Sequence, residues 1–243
     1  MDKYITIDLH VHTALSACAS EKNTPDMIVS NAINRGLDCI AITDHNTALN
    51  VRAVIDAAKG TNLLVVPGIE VETSEEVHLL ALFRTIEDCL SYNNIVKSAL
   101  SARDNIPQFF GKQILFDKSG QSQYKPLLSQ STSLELEEVI NGVNKLNGLV
   151  IPAHIRRRYN GLVSILGFIP SGLNINTIEL SRSNYDKYYK AYEDYNVIVN
   201  SDAHNLNAFY KGPSTALKVE KFDIDEVLNK LRYKLSKDEV IIY

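Results

Sequence analysis

Six histidines, His10, His12, His45, His78, His154 and His204, supply all the imidazole of this 243-residue chain. Five of them stand at or just beyond the end of a short apolar run of the kind that forms a strand, and His78 lies inside such a run. Imidazole is the commonest metal-ligating side chain, and the same run ends carry Asp44, Glu70 and Asp202, hard oxygen donors suited to divalent ions. His10 and His12, two apart on a strand, project to the same side and can grip one ion together; Asp202 and His204 repeat that spacing. A lone histidine at a strand end is more often a surface or core residue satisfied by a hydrogen bond. All six together, with their acidic neighbours, point to a multinuclear metal site.

For residues so far apart in sequence to converge, the strands must run parallel and open their C-terminal ends onto one face, as in an α/β barrel. Apolar runs and helical stretches do alternate from end to end. Ile5 to Leu9 reads as a strand, followed by a helix with Thr24 as its cap, Pro25 at its first position and Gly36 at its stop. Further strands are expected over Cys39 to Thr43, Leu63 to Glu70, Val77 to Leu82, Leu149 to Ala153, Thr177 to Leu180 and Val197 to Ser201. Helices are expected from Asn46 or Thr47 to Ala58, from Ser133 to Leu146, and onward from Asp223. Residues 105–131, with Pro107, Gly111, Gly120 and Pro126, show no period and read as a loop excursion or lid on a single domain covering residues 1–243.

Composition fits one globular α/β domain, at 45% hydrophobic and 22% charged residues. The net charge of −4 predicts no broad basic face for nucleic acid, so phosphate recognition is expected to be local. No apolar run approaches the roughly 18 residues of a membrane span and no leader precedes Ile5, so the expectation is a cytoplasmic protein with no membrane partner. The three scattered cysteines make poor material for a disulfide framework, and Cys39 reads as a buried strand residue. Tyr185, Tyr188, Tyr192 and Tyr195 form a stripe at helical spacing, read as core or interface packing in preference to a stacking surface for bases.

The motifs Asp8-Leu9-His10-Val11-His12, Thr43-Asp44-His45, Pro152-Ala153-His154 and Ser201-Asp202-Ala203-His204, with Gly68-Ile69-Glu70 and His78 in order between them, resemble the PHP family, named for polymerase and histidinol phosphatase. The resemblance spans residues 8 to 204 and implies a distorted (β/α)7 TIM-like barrel holding two or three divalent ions, zinc, manganese or iron. Carried over residue by residue, one ion falls to His10, His12, Glu70 and Asp202, a second to Glu70, His78 and His154, and a third to His45 and His204. The loop that would supply a further His or Asp to the third site reads Ser16-Ala17-Cys18-Ala19-Ser20 here, so Cys18 is either a thiolate ligand favouring zinc or an inert loop thiol.

Such a cluster predicts a phosphoesterase, because paired ions lower the pKa of a bridging water and clamp phosphoryl oxygens during in-line displacement. A metal-bridging hydroxide is then the nucleophile, with Glu70 and Asp202 holding the ions and either His204 or a water on the third ion protonating the leaving group. Asp8 and Asp44 read as residues that orient ligands or backbone around the site. Arg156, Arg157 and Arg158 directly after His154, and Arg182 after a strand end, are candidate phosphate contacts. The expected substrate is a phosphorylated metabolite, a nucleotide or the end of a short oligonucleotide, and the partner a small-molecule or nucleotide phosphate. The alternatives are a metal-binding scaffold module without turnover, which the full ligand set disfavours, and an amidohydrolase, disfavoured because the ligand lysine of many such enzymes is missing.

Overall fold

The computed structural model describes residues 3–236 and 238–243. Its first unit forms as the caps dictate. Strand β1 (Lys3–Val11) leads through a loop to helix α1 (Pro25–Asn34), whose first turn is closed by the Thr24 hydroxyl accepting from the Met27 amide. Strand β2 (Cys39–Ile42) follows, then helix α2 (Val51–Ala57), strands β3 (Leu64–Glu72) and β4 (His78–Leu82), and helix α3 (Ile86–Ser98). The expected excursion contains a helical turn, α4 (Pro107–Phe110), and a hairpin of β5 (Ile114–Asp117) and β6 (Gly120–Gln123). Helix α5 (Leu136–Lys145) precedes β7 (Leu149–Pro152), α6 (Leu162–Leu166), β8 (Thr177–Glu179) and α7 (Arg182–Tyr188), which tightens into a 3-10 turn at Tyr189–Tyr192. Strand β9 (Asn196–Ile198), helix α8 (Leu206–Lys211), β10 (Thr215–Val219), α9 (Ile224–Arg232) and β11 (Val240–Ile242) complete the chain.

One sheet has the order β11-β10-β1-β2-β3-β4-β7, and β8 pairs with β9 in a second. β1, β2 and β3 are parallel, so their C-terminal ends share one edge; β4 returns antiparallel between β3 and β7, and β10 runs antiparallel to β1. The second sheet bridges the open ends of the first. Ile155 just after β7 donates to the Glu179 carbonyl, and a parallel bridge joins Val11 to Ala203. The expected barrel-type α/β fold is therefore present as a curled sheet, although β3 and β4 follow one another with no helix between them.

The sheet is buried on both faces, which is why its strands read as nearly continuous apolar runs. Ile5, Ile7, Leu9, Cys39, Ala41 and Val66 pack with Val227, Leu228 and Leu231 of α9, while Ile40, Ile42 and Ile69 pack toward α1 and α2. Each such fully buried aliphatic stabilises the fold by about 1.5–3 kcal/mol before entropy is counted. Cys39 is the buried strand residue expected, and burial pushes its thiol pKa up.

Two helix starts differ from expectation for a shared reason. Asn46 and Thr47 do not cap α2, because their side chains are engaged elsewhere. The Asn46 amide donates to the carbonyls of Leu128 and Gln130 and its Oδ1 accepts from the Glu72 amide, while Thr47 bonds Asn93. α5 starts at Leu136, with Glu138 accepting from the Glu135 amide and Glu75 from the Leu136 amide, leaving Ser133 outside it. The tyrosine stripe packs as expected: Tyr192 is buried and Tyr185, Tyr188 and Tyr195 lie against the core. Among the described residues no helix is long and apolar enough to cross a membrane.

Candidate metal centre

Glu70 lies near the C-terminal end of β3, in the middle of the histidines. Its Oε1 lies 2.8 Å from His78 Nδ1 and 3.2 Å from both His10 Nε2 and His154 Nε2; its Oε2 lies 3.0 Å from His45 Nδ1 and 3.3 Å from His12 Nε2. Asp202 Oδ1 sits 3.3 Å from Nε2 of both His10 and His12, and His204 completes the ring with its centroid 4.4 Å from that of His12. All six histidines, Glu70 and Asp202 thus converge on one place, as strand-end placement predicts. Four groups have ligand atoms within 4.8 Å of one another: His10, His12 and Asp202; His10, Glu70 and His154; His45, Glu70 and His78; and His12, His45 and His204.

Nε2 of His10 and His12, Nδ1 of His154, Oε2 of Glu70 and Oδ1 of Asp202 are buried and make no hydrogen bond among the described residues. A buried polar atom left without a partner costs about 1–3 kcal/mol, so several in one cluster call for a cation at their centre. The donor set of imidazole and carboxylate fits a divalent transition ion.

Burial opposes charge on each of these groups, yet the carboxylates of Glu70, Glu179 and Asp202 hold the His10 ring well above the ordinary imidazole pKa, and Glu70 does the same for His45. Burial, with His204 and His45 beside it, pushes His12 well below that value. Against the burial penalty, the rings of His78, His10 and His45 hold Glu70 well below the carboxylate range, and His10 and His12 do so for Asp202. Desolvation works against the Cys18 thiolate too, but hydrogen bonds to His204 and His45 bring that thiol down to about 6. Cys18 is exposed and adjoins the His12, His45 and His204 group without being one of its members.

A shell of fixed partners orients the ligands. Glu179, fully buried, accepts from His10 Nδ1 at 3.0 Å, from the His154 amide at 3.1 Å and from Asn200 Nδ2 at 2.8 Å, and Asn200 Oδ1 accepts from the Leu9 amide. Asp44 accepts from Ser16 Oγ, which lies 3.0 Å from His12 Nδ1, and from the Thr13 hydroxyl and amide. Asp8 accepts from Arg35 at 2.7 Å and from the Ser201 amide, and burial raises its pKa despite that arginine. Asp8 and Asp44 thus orient their surroundings as expected, whereas Glu179, Ser16 and Asn200 escape sequence reasoning. The available signal for Glu179 was a single charge in the apolar strand Thr177–Glu179 and the Leu180 after it. The backbone also bends to the site: His154 (φ 29°), Asp202 (φ 47°) and Asn46 (φ 51°) are held in the left-handed region.

A polar cavity of ≈ 370 Å³ opens beside the cluster, lined by His154, Arg157, Ser181, Arg182, Ser201 and Asp202. Arg157 reaches in, with Nη1 2.9 Å from Asp202 Oδ2, while Arg182 is exposed at the wall and pairs with Asp186 at 2.9 Å. The other two arginines are not brought to the site. Arg156 lies 4.1 Å above the Tyr188 ring and donates to the Tyr192 hydroxyl, and Arg158 lies over Tyr159 at the surface.

The PHP domain model matches residues 8–207. The chain therefore belongs to the PHP family. Two curated relatives are similar over short stretches: a phosphoribosyl 1,2-cyclic phosphate 1,2-diphosphodiesterase from Eggerthella lenta, 32% identical over 80 residues (31% of this chain, 29% of the relative), and a 5'-3' exoribonuclease from Salmonella typhimurium, 31% identical over 83 residues (32% and 27%). Among solved structures, the lesion-specific endonuclease PfuEndoQ of Pyrococcus furiosus superposes with a TM-score of 0.71 at 21% identity, covering 95% of this chain and 56% of that one. An endonuclease Q complex with a 27-mer duplex carrying an abasic lesion superposes with a TM-score of 0.66 at 19% identity (95% and 57%). The chain spans less than a third of those curated relatives and a little over half of the two endonuclease chains. These findings overturn the expectation of a small-molecule or nucleotide partner with no broad nucleic-acid surface, because the structures that share this fold include an endonuclease bound to duplex substrate and the similar curated proteins include an exoribonuclease. Net charge was the wrong observable: it reports the whole surface, whereas cleaving a strand needs only local contacts around the scissile phosphate.

Proposed function

We propose that this chain is a metal-dependent phosphoesterase acting on a phosphate ester of a nucleic-acid strand. The carrying observation is the cluster of buried, hydrogen-bond-free nitrogen and carboxylate atoms opening into a cavity that holds Arg157 and Arg182. The nucleic-acid relatives supply the substrate class. Divalent ions bound there would provide an activated water as nucleophile and neutralise charge building on the phosphoryl oxygens.

The chain's own residues divide the remaining work. Glu70, shared between His10 on one side and His78 and His154 on the other, would bridge two ions, with His12 and Asp202 completing the first set. Arg157 and Arg182 would hold non-bridging phosphate oxygens through their planar forks. His204 Nδ1 lies 2.9 Å from the Asp202 carbonyl and donates to it, and against burial Cys18 and Asp202 raise the pKa of the ring, favouring the form that also carries a proton on Nε2. With two ions bound, the doubly protonated ring would give its Nε2 proton to the leaving oxygen; were a third ion held by His12, His45 and His204, His204 would instead be a ligand and Cys18 would add a thiolate that favours zinc. Residues 105–131 belong to the same domain and form a rim of the site, through Ile114 donating to the Ala14 carbonyl.

The test pairs elemental metal analysis of protein purified without chelator with hydrolysis of an aryl phosphate diester and an end-labelled oligonucleotide. The expected result is two or three ions per chain and metal-dependent cleavage of both, reduced to background in Glu70→Ala and His154→Ala. Bound metal without cleavage of any ester would replace the enzyme by a metal-stabilised scaffold. Full activity in either variant would remove the bridging assignment.

A further inference from the structure

We propose that Phe109 and Phe110 form a base-stacking platform for an unpaired stretch of the nucleic-acid strand whose phosphate enters the metal centre, an inference that rests on the substrate class proposed above. Phe109 is 82% exposed, Phe110 43% and the adjoining Ile106 47%. Phe83 and Phe209 are buried and Phe168 and Phe222 stand singly at the surface, whereas Phe109 and Phe110 are exposed side by side, and an exposed phenyl ring contributes little to folding.

The turn that carries the pair is pinned. Gly111, at φ +96°, packs so closely on the loop before Cys18 that a Cβ there would stand 2.0 Å from the Ala17 carbonyl oxygen. Asn105 Nδ2 donates to the Gly111 carbonyl at 2.8 Å, the Asn105 amide donates to the Lys125 carbonyl at 2.7 Å, and Lys112 pairs with Glu21 at 3.1 Å. The rings are thus presented on an ordered base, which spares a ligand the entropy of arranging them. Ala17 is next to Cys18, and Cys18 hydrogen-bonds His45 and His204, so the platform stands at the rim of the metal centre. The arginine-bearing cavity borders His154 and Asp202 of the same cluster.

Charge indicates the occupant. The segment carrying the rings contains exposed Arg103, Lys112, Lys118 and Lys125 against Asp104 and Asp117, a local positive excess in a chain of net charge −4. Exposed aromatics set among cations suit an unpaired strand, since every base has a π-face and every linkage a negative phosphate. Three apolar side chains fall far short of the roughly 20–30 residues a side of a stable protein interface.

The experiment measures fluorescence anisotropy of a labelled oligothymidylate about ten nucleotides long, in EDTA so that turnover plays no part, with the wild type, Phe109→Ala/Phe110→Ala and Phe109→Trp. The double variant should bind about tenfold more weakly or worse, Phe109→Trp should bind as well as the wild type or better, and circular dichroism should be unchanged. Hydrolysis of the aryl diester, too small to reach the rings, should be equal in all three. Three outcomes would overturn the platform: a wild type that does not bind the oligonucleotide, a double variant that binds it equally well, or a double variant whose only change is loss of a dimer by light scattering. Loss of aryl-ester hydrolysis in the wild type would instead strike at the phosphoesterase reading, leaving the anisotropy result to judge the platform alone.

Discussion

Glu179→Gln separates positioning from ligation at this site. The carboxylate faces three donors and no acceptor: Oε1 takes the His154 amide, while Oε2 takes His10 Nδ1 and Asn200 Nδ2. Glutamine has one oxygen to offer. Placed at the Oε2 position, it keeps His10 and Asn200 but turns its NH2 against the His154 amide; placed at the other, it keeps the His154 amide and the longer 3.3 Å contact to His10 Nδ1 but loses Asn200. Either way one buried donor is orphaned, and the surviving bonds lose their charge assistance, worth about 1.5–3 kcal/mol against about 0.5–1.5 kcal/mol for a neutral bond. The expected destabilisation is about 3 kcal/mol, read by urea unfolding in EDTA. Losing the anionic partner of His10 also makes its other nitrogen a poorer ligand, so metal affinity by competitive titration should fall about 10- to 100-fold, the usual consequence of removing such a partner. A variant of wild-type stability and metal affinity would refute the account of Glu179 as the residue that holds His10 and the start of the His154 loop.

Gly111→Ala should detach the excursion, since its Cβ has no room against Ala17 and its φ of +96° strains any side chain; limited proteolysis within residues 105–131 should accelerate while the melting temperature changes little. Arg157→Ala and Arg182→Ala should each raise KM for an oligonucleotide by about tenfold, in line with about 1.5–3 kcal/mol for a hydrogen bond to a charged group discounted for exposure, and initial-rate kinetics would show it. At the far end of the fold, Lys230 and the Ser236 amide and hydroxyl hold Glu239 down to about 2. A depressed carboxylate stabilises the folded state above its unfolded value near 4.3 and loses that contribution as pH falls toward 2. Glu239→Gln should therefore melt lower than the wild type at pH 7, by at most about 1 kcal/mol for a half-buried pair near the surface, with the gap closing by about pH 2.

The eight ligand candidates were legible because each lies within a strand or in the loop that follows one, and parallel strands bring their ends together whatever their separation in sequence. His78 reaches the same face by the opposite route, from the start of the antiparallel β4. Cap residues placed α1 and α9 to within a residue, since Thr24 and Asp223 act through local bonds. What stayed hidden depends on partners distant in sequence. Glu179 is defined by His10, which lies 169 positions away, and nothing in the strand around it records that bond. Asn46 and Thr47 look like caps, and only the contacts with Gln130 and Asn93 divert them. In the hairpin, β6 is polar and exposed throughout and β5 is only four residues long with its apolar residues half-buried, so neither strand shows an alternation to read. Of the four arginines singled out, adjacency to His154 could not show which would turn inward; tyrosines 188 and 192 capture Arg156, and Asp202 draws Arg157.

The left-handed backbone at His154 and Asp202 sets the two demands on this chain against each other. A residue with a Cβ pays about 1–2 kcal/mol to sit there, and glycine would not. His154→Gly and Asp202→Gly are therefore the substitutions that a search for thermal hardiness alone would favour, and each deletes a candidate metal ligand. A lineage that ceased to depend on catalysis would be expected to shed its chemistry at these two positions early, keeping its shape while growing sturdier. At both positions this chain carries a ligand-type side chain where glycine would relax the backbone.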